Sequence, residues 1–197
     1  STPLVRLSTG KEIDKQYTVE TNDRESSAEM TRYLASLGHE RIAFITGHPS
    51  HKAIESRFLG YQDGLRQSSL PFLEDLVAGG DNSSGSGEAC ANELLALAQP
   101  PTAIFAANDD MAAGVIRAAN KLHIDVPGQL SVAGFDNISL GQQIYPSLTT
   151  IHQPLAAMAE RAALALIGDP GNGSTLQGKD VVPARLVIRE STGPAPR

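Results

Sequence analysis

The stretch Arg41-Ile42-Ala43-Phe44-Ile45-Thr46 runs into Gly47-His48-Pro49-Ser50-His51 and then into Lys52 to Gln67. An unbroken apolar run of this length reads as a strand buried on both faces. The segment after it changes period. Ile54, Phe58, Tyr61 and Leu65 recur every three or four residues and form one apolar stripe of a helix. A fully buried strand feeding a helix through a short polar loop opens a β-α-β unit.

The alternation repeats in both directions. Downstream come a strand at Asp75 to Ala78, a helix at Ser86 to Ala98, and a break at Pro100 and Pro101. A strand at Thr102 to Ala106 follows, then a helix at Met111 to Leu122 with Met111, Val115, Ile116, Ala119 and Leu122 inward, and a strand at Leu130 to Phe135. Upstream, Arg24 to Leu37 reads as a helix capped by Asn22 or Asp23, with Met30, Leu34 and Leu37 on its inner face and Gly38 as stop. Pro3 to Leu7 and Tyr17 to Glu20 read as two strands joined by a polar turn around Gly10 and Lys11. Strands and helices alternating at this spacing predict an α/β fold with a doubly wound parallel sheet.

The last quarter departs from that rhythm. Thr149 to His152 is a short strand, and Pro154 suits the first turn of a helix whose apolar stripe is Leu155, Met158, Ala159, Ala162 and Leu166. A Gly-rich loop from Asp169 to Gly178 leads to one final strand, Asp180 to Arg189, with Pro183 at an edge or bulge. Ser191 to Arg197 reads as a frayed tail.

The 197 residues carry 16 Lys and Arg against 22 Asp and Glu, a net charge of -6. That balance argues against a surface gripping nucleic acid non-specifically, since neutralising phosphates needs clustered cations. No run of about eighteen apolar residues predicts a membrane span. Cys90 is the one cysteine, so no intrachain disulfide is expected. The chain opens on Ser1 without a Met or a signal-peptide pattern, and is expected to be a cut or processed piece of a longer protein.

Open parallel sheets bind ligands beyond the carboxyl ends of their strands. Four strand ends deliver polar residues to that edge: the Gly47–His51 stretch, Gly79 to Ser84, Asn108-Asp109-Asp110, and Asp136-Asn137. Asp136 is either a turn carboxylate or an acceptor for two ligand hydroxyls or ring N–H groups. Asn108 is assigned to the ligand, since its amide both donates and accepts, and Asp109 to capping the next helix. Arg57 is either a surface cation or a guanidinium fork complementing Asp136; its place near a helix N-terminus runs against the macrodipole and favours the second. His48 and His51 lack the further ligands a metal needs. Gly79 to Gly87 invites a phosphate-loop reading but has neither of the standard nucleotide motifs. No nucleophile elbow, Cys–His pair or paired Glu is present, so neither catalysis nor a cofactor is expected. His39 reads as a structural turn residue.

Several phrases together resemble the LacI/GalR family of bacterial transcriptional repressors. Leu37 to Ala43 (LGHERIA) resembles its L-G-H-x-x-I-A, Arg57 to Gly64 (RFLGYQDG) its R-x-x-G-[FYW], and Pro101 to Ala113 (PTAIFAANDDMAA) its P-T-A-x-x-x-x-N-D-x-M-A. Leu130 to Asn137 (LSVAGFDN) and Pro146 to Pro154 (PSLTTIHQP) resemble two further family stretches, in family order. The resemblance implies a periplasmic-binding-protein type I-like fold, with one lobe nearly complete plus part of a second. Residues 1–19 and 148–180 would belong to the amino-side lobe, 20–147 and the last strand 181–190 to the carboxyl-side lobe, and 191–197 to a tail.

It also implies a cytoplasmic regulator that binds a small-molecule effector, with operator DNA held only through a helix-turn-helix headpiece absent from these residues. Arg57, Asn108 and Asp136 match effector-contacting positions, and His51 and Asn82 match positions that do so in some members. Gln153 is a further hydroxyl contact. Several members carry an aromatic where Asn82 stands, so its absence points toward sugar-like ligands rather than purines. A homodimer through Met111, Ala113, Ile144 and Tyr145 is implied as well. The rival readings are a solute-binding protein of the same fold, and a small α/β enzyme using Asp109 or Asp136 as acid or base.

Overall fold

The computed structural model describes residues 4–7, 17–167 and 178–196. In chain order the elements are β1 (Val5–Leu7), β2 (Tyr17–Glu20), α1 (Asp23–Ser36), β3 (Ile42–Thr46), α2 (Lys52–Gln67), β4 (Val77–Gly79), α3 (Ser84–Leu95) and β5 (Ala103–Ala106). They continue with α4 (Asp109–Lys121), β6 (Ser131–Ala133), α5 (Leu140–Gln143), β7 (Thr150–His152), α6 (Leu155–Ile167), β8 (Gly178–Val181) and β9 (Arg185–Val187). The short α5 has no apolar period long enough to be read from sequence.

Four strands make the main sheet in the order β4-β3-β5-β6, all parallel. The chain leaves β3 for one side, then crosses back to the other, so the topological switch lies between the carboxyl ends of β3 and β5. Phe44, at the centre of β3, stacks on Tyr61 of α2 with ring centroids 5.0 Å apart and meets Phe105 of β5 edge-on at 5.2 Å. The Tyr61 hydroxyl donates to the Ile42 carbonyl at 2.8 Å, so burying this ring leaves no polar group unpaired.

β7 continues this sheet. Isolated parallel bridges join Thr149 to Ala133 and His152 to Asp136, and β9 pairs antiparallel with β7. The segment 149–152 therefore extends the main sheet beyond β6. The single final strand expected over Asp180 to Arg189 is two strands. β8 pairs parallel with β2 in a separate sheet, β1-β2-β8, and the chain changes sheets around Pro183, which has no N–H to continue a ladder.

β1 and β2 pair in parallel, which a tight turn cannot produce. The turn expected around Gly10 and Lys11, and most of the Asp169 to Gly178 loop, lie outside the described residues. A small second core of Val19, Met158, Ala162 and Val182 holds this part together. Of the stripe expected on α6, only Met158 and Ala162 are buried; Leu155 and Leu166 are exposed, as is Leu122 at the end of α4.

The expected frayed tail is instead docked. Ser191 is fully buried, and its hydroxyl donates to the Val132 carbonyl and accepts from the Thr149 amide. His39 supplies the other end of this knot. Its Nδ1 bonds the Thr102 hydroxyl at 2.9 Å and its Nε2 lies 3.0 Å from the Gly193 carbonyl. Burial lowers the His39 pKa, against the Gly193 carbonyl, which favours the protonated ring.

Candidate functional site

Arg57 lies on the second turn of α2 and is buried. Its Nε donates to Asp23 Oδ1 at 3.1 Å, and its Nη1 donates to the Ala107 carbonyl at 2.5 Å and lies 3.3 Å from Asp136 Oδ1. The guanidinium carbon sits 3.7 Å from the centroid of the Phe135 ring. Asp23 also accepts from the Thr21 hydroxyl at 3.0 Å. One cation is thus clamped between two carboxyl groups over an aromatic floor.

Asp136 is the more accessible of those carboxylates. Its Oδ1 accepts from Gln153 Nε2 at 2.5 Å. Burial pushes its pKa up, while Arg57 and Gln153 pull it down. A carboxylate in this setting gains from a ligand that brings further donors, such as adjacent hydroxyls.

Asn108, rather than Asp109, caps the helix. Asn108 is the N-cap of α4: its Oδ1 accepts from the Met111 amide at 2.9 Å, while its Nδ2 donates to the Asn82 carbonyl at 2.9 Å. Both residue types cap well, so composition could not rank them. Asp109 points the other way, into the protein. It is buried and accepts from the Thr150 hydroxyl at 2.5 Å and the Ile138 amide at 2.9 Å. Burial raises its pKa to about 7, against the pull of those two bonds.

That shift has a sign. The folded pKa exceeds the unfolded value, so Asp109 contributes stability in acid that is lost as pH rises toward 7. Asp109→Asn keeps the shape and removes the titration. The stability of the Asn variant relative to wild type is expected to climb by about 1 kcal/mol per pH unit between pH 5 and 7 and then level off. Urea titrations at pH 5, 6, 7 and 8 would measure it, and a flat difference would refute a buried titrating carboxyl.

Asn82 adopts φ +76° and clamps loops rather than lying free at the edge. Its Oδ1 accepts from the His48 amide at 3.2 Å, and its carbonyl holds Asn108. His51 is exposed at the N-cap position of α2, its ring 6.0 Å from that of His48. The structure therefore brings Arg57, Asp136 and Gln153 into one cluster and Asn82 and Asn108 into another, with His51 at the rim. Sequence reasoning missed Asp23 as the partner of Arg57, because a cap reading accounted for it and 34 residues separate the two.

Two other expectations change. Two glycines of the Gly79 to Gly87 stretch serve packing: a Cβ on Gly80 would lie 2.5 Å from Met111 Sδ, and one on Gly87 would lie 2.2 Å from the Met111 carbonyl oxygen. Met111 itself is fully buried in the core and presents no surface to a second chain. Among the described residues no group of three or more His, Cys, Asp or Glu side chains is placed to hold a metal, and no helix is long and apolar enough to cross a membrane.

A family model described as a periplasmic binding protein-like domain matches residues 31–192. The chain belongs to this family. Within it the relatives are LacI/GalR-type regulators, and the chain corresponds to their effector-binding domain. It is 37% identical over 193 residues to the HTH-type transcriptional regulator DegA of Bacillus subtilis, covering 98% of this chain and 57% of DegA. It is 35% identical over 173 residues to the HTH-type transcriptional regulator GalR of Salmonella typhimurium, covering 88% of this chain and 51% of GalR. The chain thus spans about half the length of the curated relatives it matches. Among solved structures, a LacI family transcriptional regulator from Enterococcus faecium with bound ribose superposes with a TM-score of 0.87 at 28% identity, covering 98% of this chain and 70% of that one. The complex of the transcriptional regulator CelR with cellobiose gives 0.88 at 28% identity, covering 95% of this chain and 58% of that one. These relatives are regulators rather than enzymes.

Proposed function

We propose that this periplasmic binding protein-like domain senses a small, hydroxyl-rich, sugar-like effector for a cytoplasmic transcriptional regulator. The observation that carries the reading is the Arg57–Asp136–Gln153 cluster at the carboxyl edge of the sheet. Arg57 can only donate and Asp136 accepts from two sides, so adjacent hydroxyls of one ligand satisfy both. Asn108, with spare donor and acceptor capacity beyond its cap, and Asn82 line the neighbouring strand end, and His51 stands at the rim. Ribose and cellobiose in two structural neighbours support the ligand class. Binding would shift the balance between two lobe arrangements by its difference in affinity for them, and operator DNA would be held by a headpiece outside these residues.

The test is calorimetric titration of this chain with D-ribose, cellobiose and inorganic phosphate, repeated with Asp136→Asn. Binding of a sugar is expected, weakened at least about ten-fold in the variant, the scale of a hydrogen bond to a charged group. Binding of none, or equal binding by the variant, would overturn the reading.

We also propose that the domain pairs with a second copy through Ala113, Ile144 and Tyr145. Tyr145 is 84% exposed and follows the partly buried Ile144 directly in the chain. Sedimentation equilibrium should show a dimer that Tyr145→Asp weakens; a wild-type monomer at millimolar concentration would end the proposal.

A further inference from the structure

Asp136 and Asn137 both have positive φ, at +117° and +62°. Two consecutive non-glycine residues in this region store backbone strain, and something must hold them there. The backbone contributes the Asp136 amide on the Ile151 carbonyl at 2.9 Å and the Gln153 amide on the Asp136 carbonyl at 3.3 Å. The Asn137 side chain contributes more.

Its Oδ1 accepts from Arg189 Nη2 at 2.6 Å, and its Nδ2 lies 3.0 Å from His152 Nδ1. A guanidinium only donates, so the Asn137 oxygen must face Arg189 and its amide nitrogen must face His152. His152 Nδ1 is then the acceptor. Arg189 is fixed in turn: Nη1 donates to the Leu148 carbonyl at 2.6 Å and its backbone amide to the Thr149 hydroxyl at 2.9 Å. A chain of bonds thus runs from the segment after β9, through Asn137, to the end of β7, one residue before Gln153.

We propose that Asn137 is a positioning residue of the effector site, anchored by Arg189 and His152, which holds the Asp136 carboxylate against Arg57 and Gln153. Asn137 touches no ligand in this arrangement. It fixes where the acceptor stands relative to the crossover strand. The proposal deepens the effector-binding reading, since it assigns Asp136 a ligand to receive.

Asn137→Gly separates positioning from plain turn formation. Glycine adopts φ +62° without cost, so the turn is relieved of strain while both side-chain bonds are lost. The melting temperature is expected to hold or rise. Meanwhile, the Gln153 side-chain amide resonances should move toward those of a free amide, and their exchange with water should quicken by about ten-fold, as expected on losing a bond to a charged group. D-ribose or cellobiose affinity should fall by a similar factor. Arg189→Gln, which cannot span both Asn137 and Leu148, should reproduce the Gln153 shift.

Unchanged Gln153 resonances in both variants, or changes that only track a lost melting temperature, would overturn the proposal. If the wild-type chain binds neither sugar, the ligand assignment fails on that control. The Gln153 amide, which needs no ligand, still decides the positioning role.

Discussion

Arg57→Ala is expected to cost about 3–5 kcal/mol of folding stability, the range for stripping one partner from a buried ion pair. Asp23 is buried, and without Arg57 its carboxylate keeps, among the described residues, the Thr21 hydroxyl. The Ala107 carbonyl loses its donor and the Phe135 ring loses the cation above it. Against a total of about 5–15 kcal/mol for a domain, that is a large share. Effector affinity should vanish with it, which by itself would not separate a folding defect from a binding one. The double variant Asp23→Asn, Arg57→Met separates them. Removing both charges should restore much of the stability, because the cost lies in the unpaired carboxylate, while sugar binding stays lost. Urea unfolding gives the first quantity and calorimetry the second. A loss within about 1 kcal/mol in Arg57→Ala, the size of a surface pair, would show that the guanidinium is solvated rather than clamped.

Gly114→Ala is the second large effect. A Cβ there would lie 2.0 Å from the Ser84 carbonyl oxygen and 2.7 Å from the Glu88 nitrogen. Both are backbone atoms of α3, so no side chain can rotate away and the two helices must part. Separation would also pull Gly87 from the Met111 backbone, where the approach leaves no room for a Cβ either. Overpacking of this kind costs about 1–3 kcal/mol, and rigid backbone places it at the upper end. Helix propensity works in the other direction, since alanine gains about 1 kcal/mol over glycine inside a helix. A net loss of about 2 kcal/mol is expected in the urea midpoint, with the m-value unchanged. Gly79→Ala is the control, because a Cβ at that position meets nothing within 4 Å. A stabilised Gly114→Ala would mean that α3 retreats freely and the close approach is incidental.

The glycines show where a residue's sequence position misleads. Gly79 to Gly87 looks like an anion-binding loop because it follows a strand and opens a helix. Close packing demands the same residue for a different reason, and only the approach of α4 tells them apart. The strand-helix alternation, by contrast, was legible because it is local. Periodicity in Ile42 to Ile45 and in Ile54, Phe58, Tyr61 and Leu65 reports which faces are dry, and the structure buries all of them but Phe58, which is partly covered. The polar strand ends were legible for the same reason. They follow from where each apolar run stops.

Apart from Arg57 and Asp136, which do meet, pairing at long range was not legible. Asn108 and Asp109 are adjacent and both suit a helix start; Thr150, 41 residues away, decides which one turns inward. The tail reads as frayed because Ser191 and Thr192 are small and polar, yet the Ser191 hydroxyl bonds the Val132 carbonyl and the Thr149 amide, and the Thr192 hydroxyl bonds that of Thr149. The apolar stripe of α6 was real as a pattern, but burial needs a partner surface, and the described residues cover only Met158 and Ala162.

The sequence by itself determined the parallel α/β layering and the polar strand ends, with Arg57 and Asp136 near them; Gln153 came from the family resemblance. Hydrophobic period and strand termination are properties of neighbours along the chain, and need no folding to be read. Only the tertiary structure decided that Asp23 partners Arg57, that Asp109 turns inward, and that Asn137 meets Arg189 and His152. Each of those depends on which buried polar groups meet, and a buried donor or acceptor takes whatever partner the fold brings within 3 Å, whatever its distance in sequence.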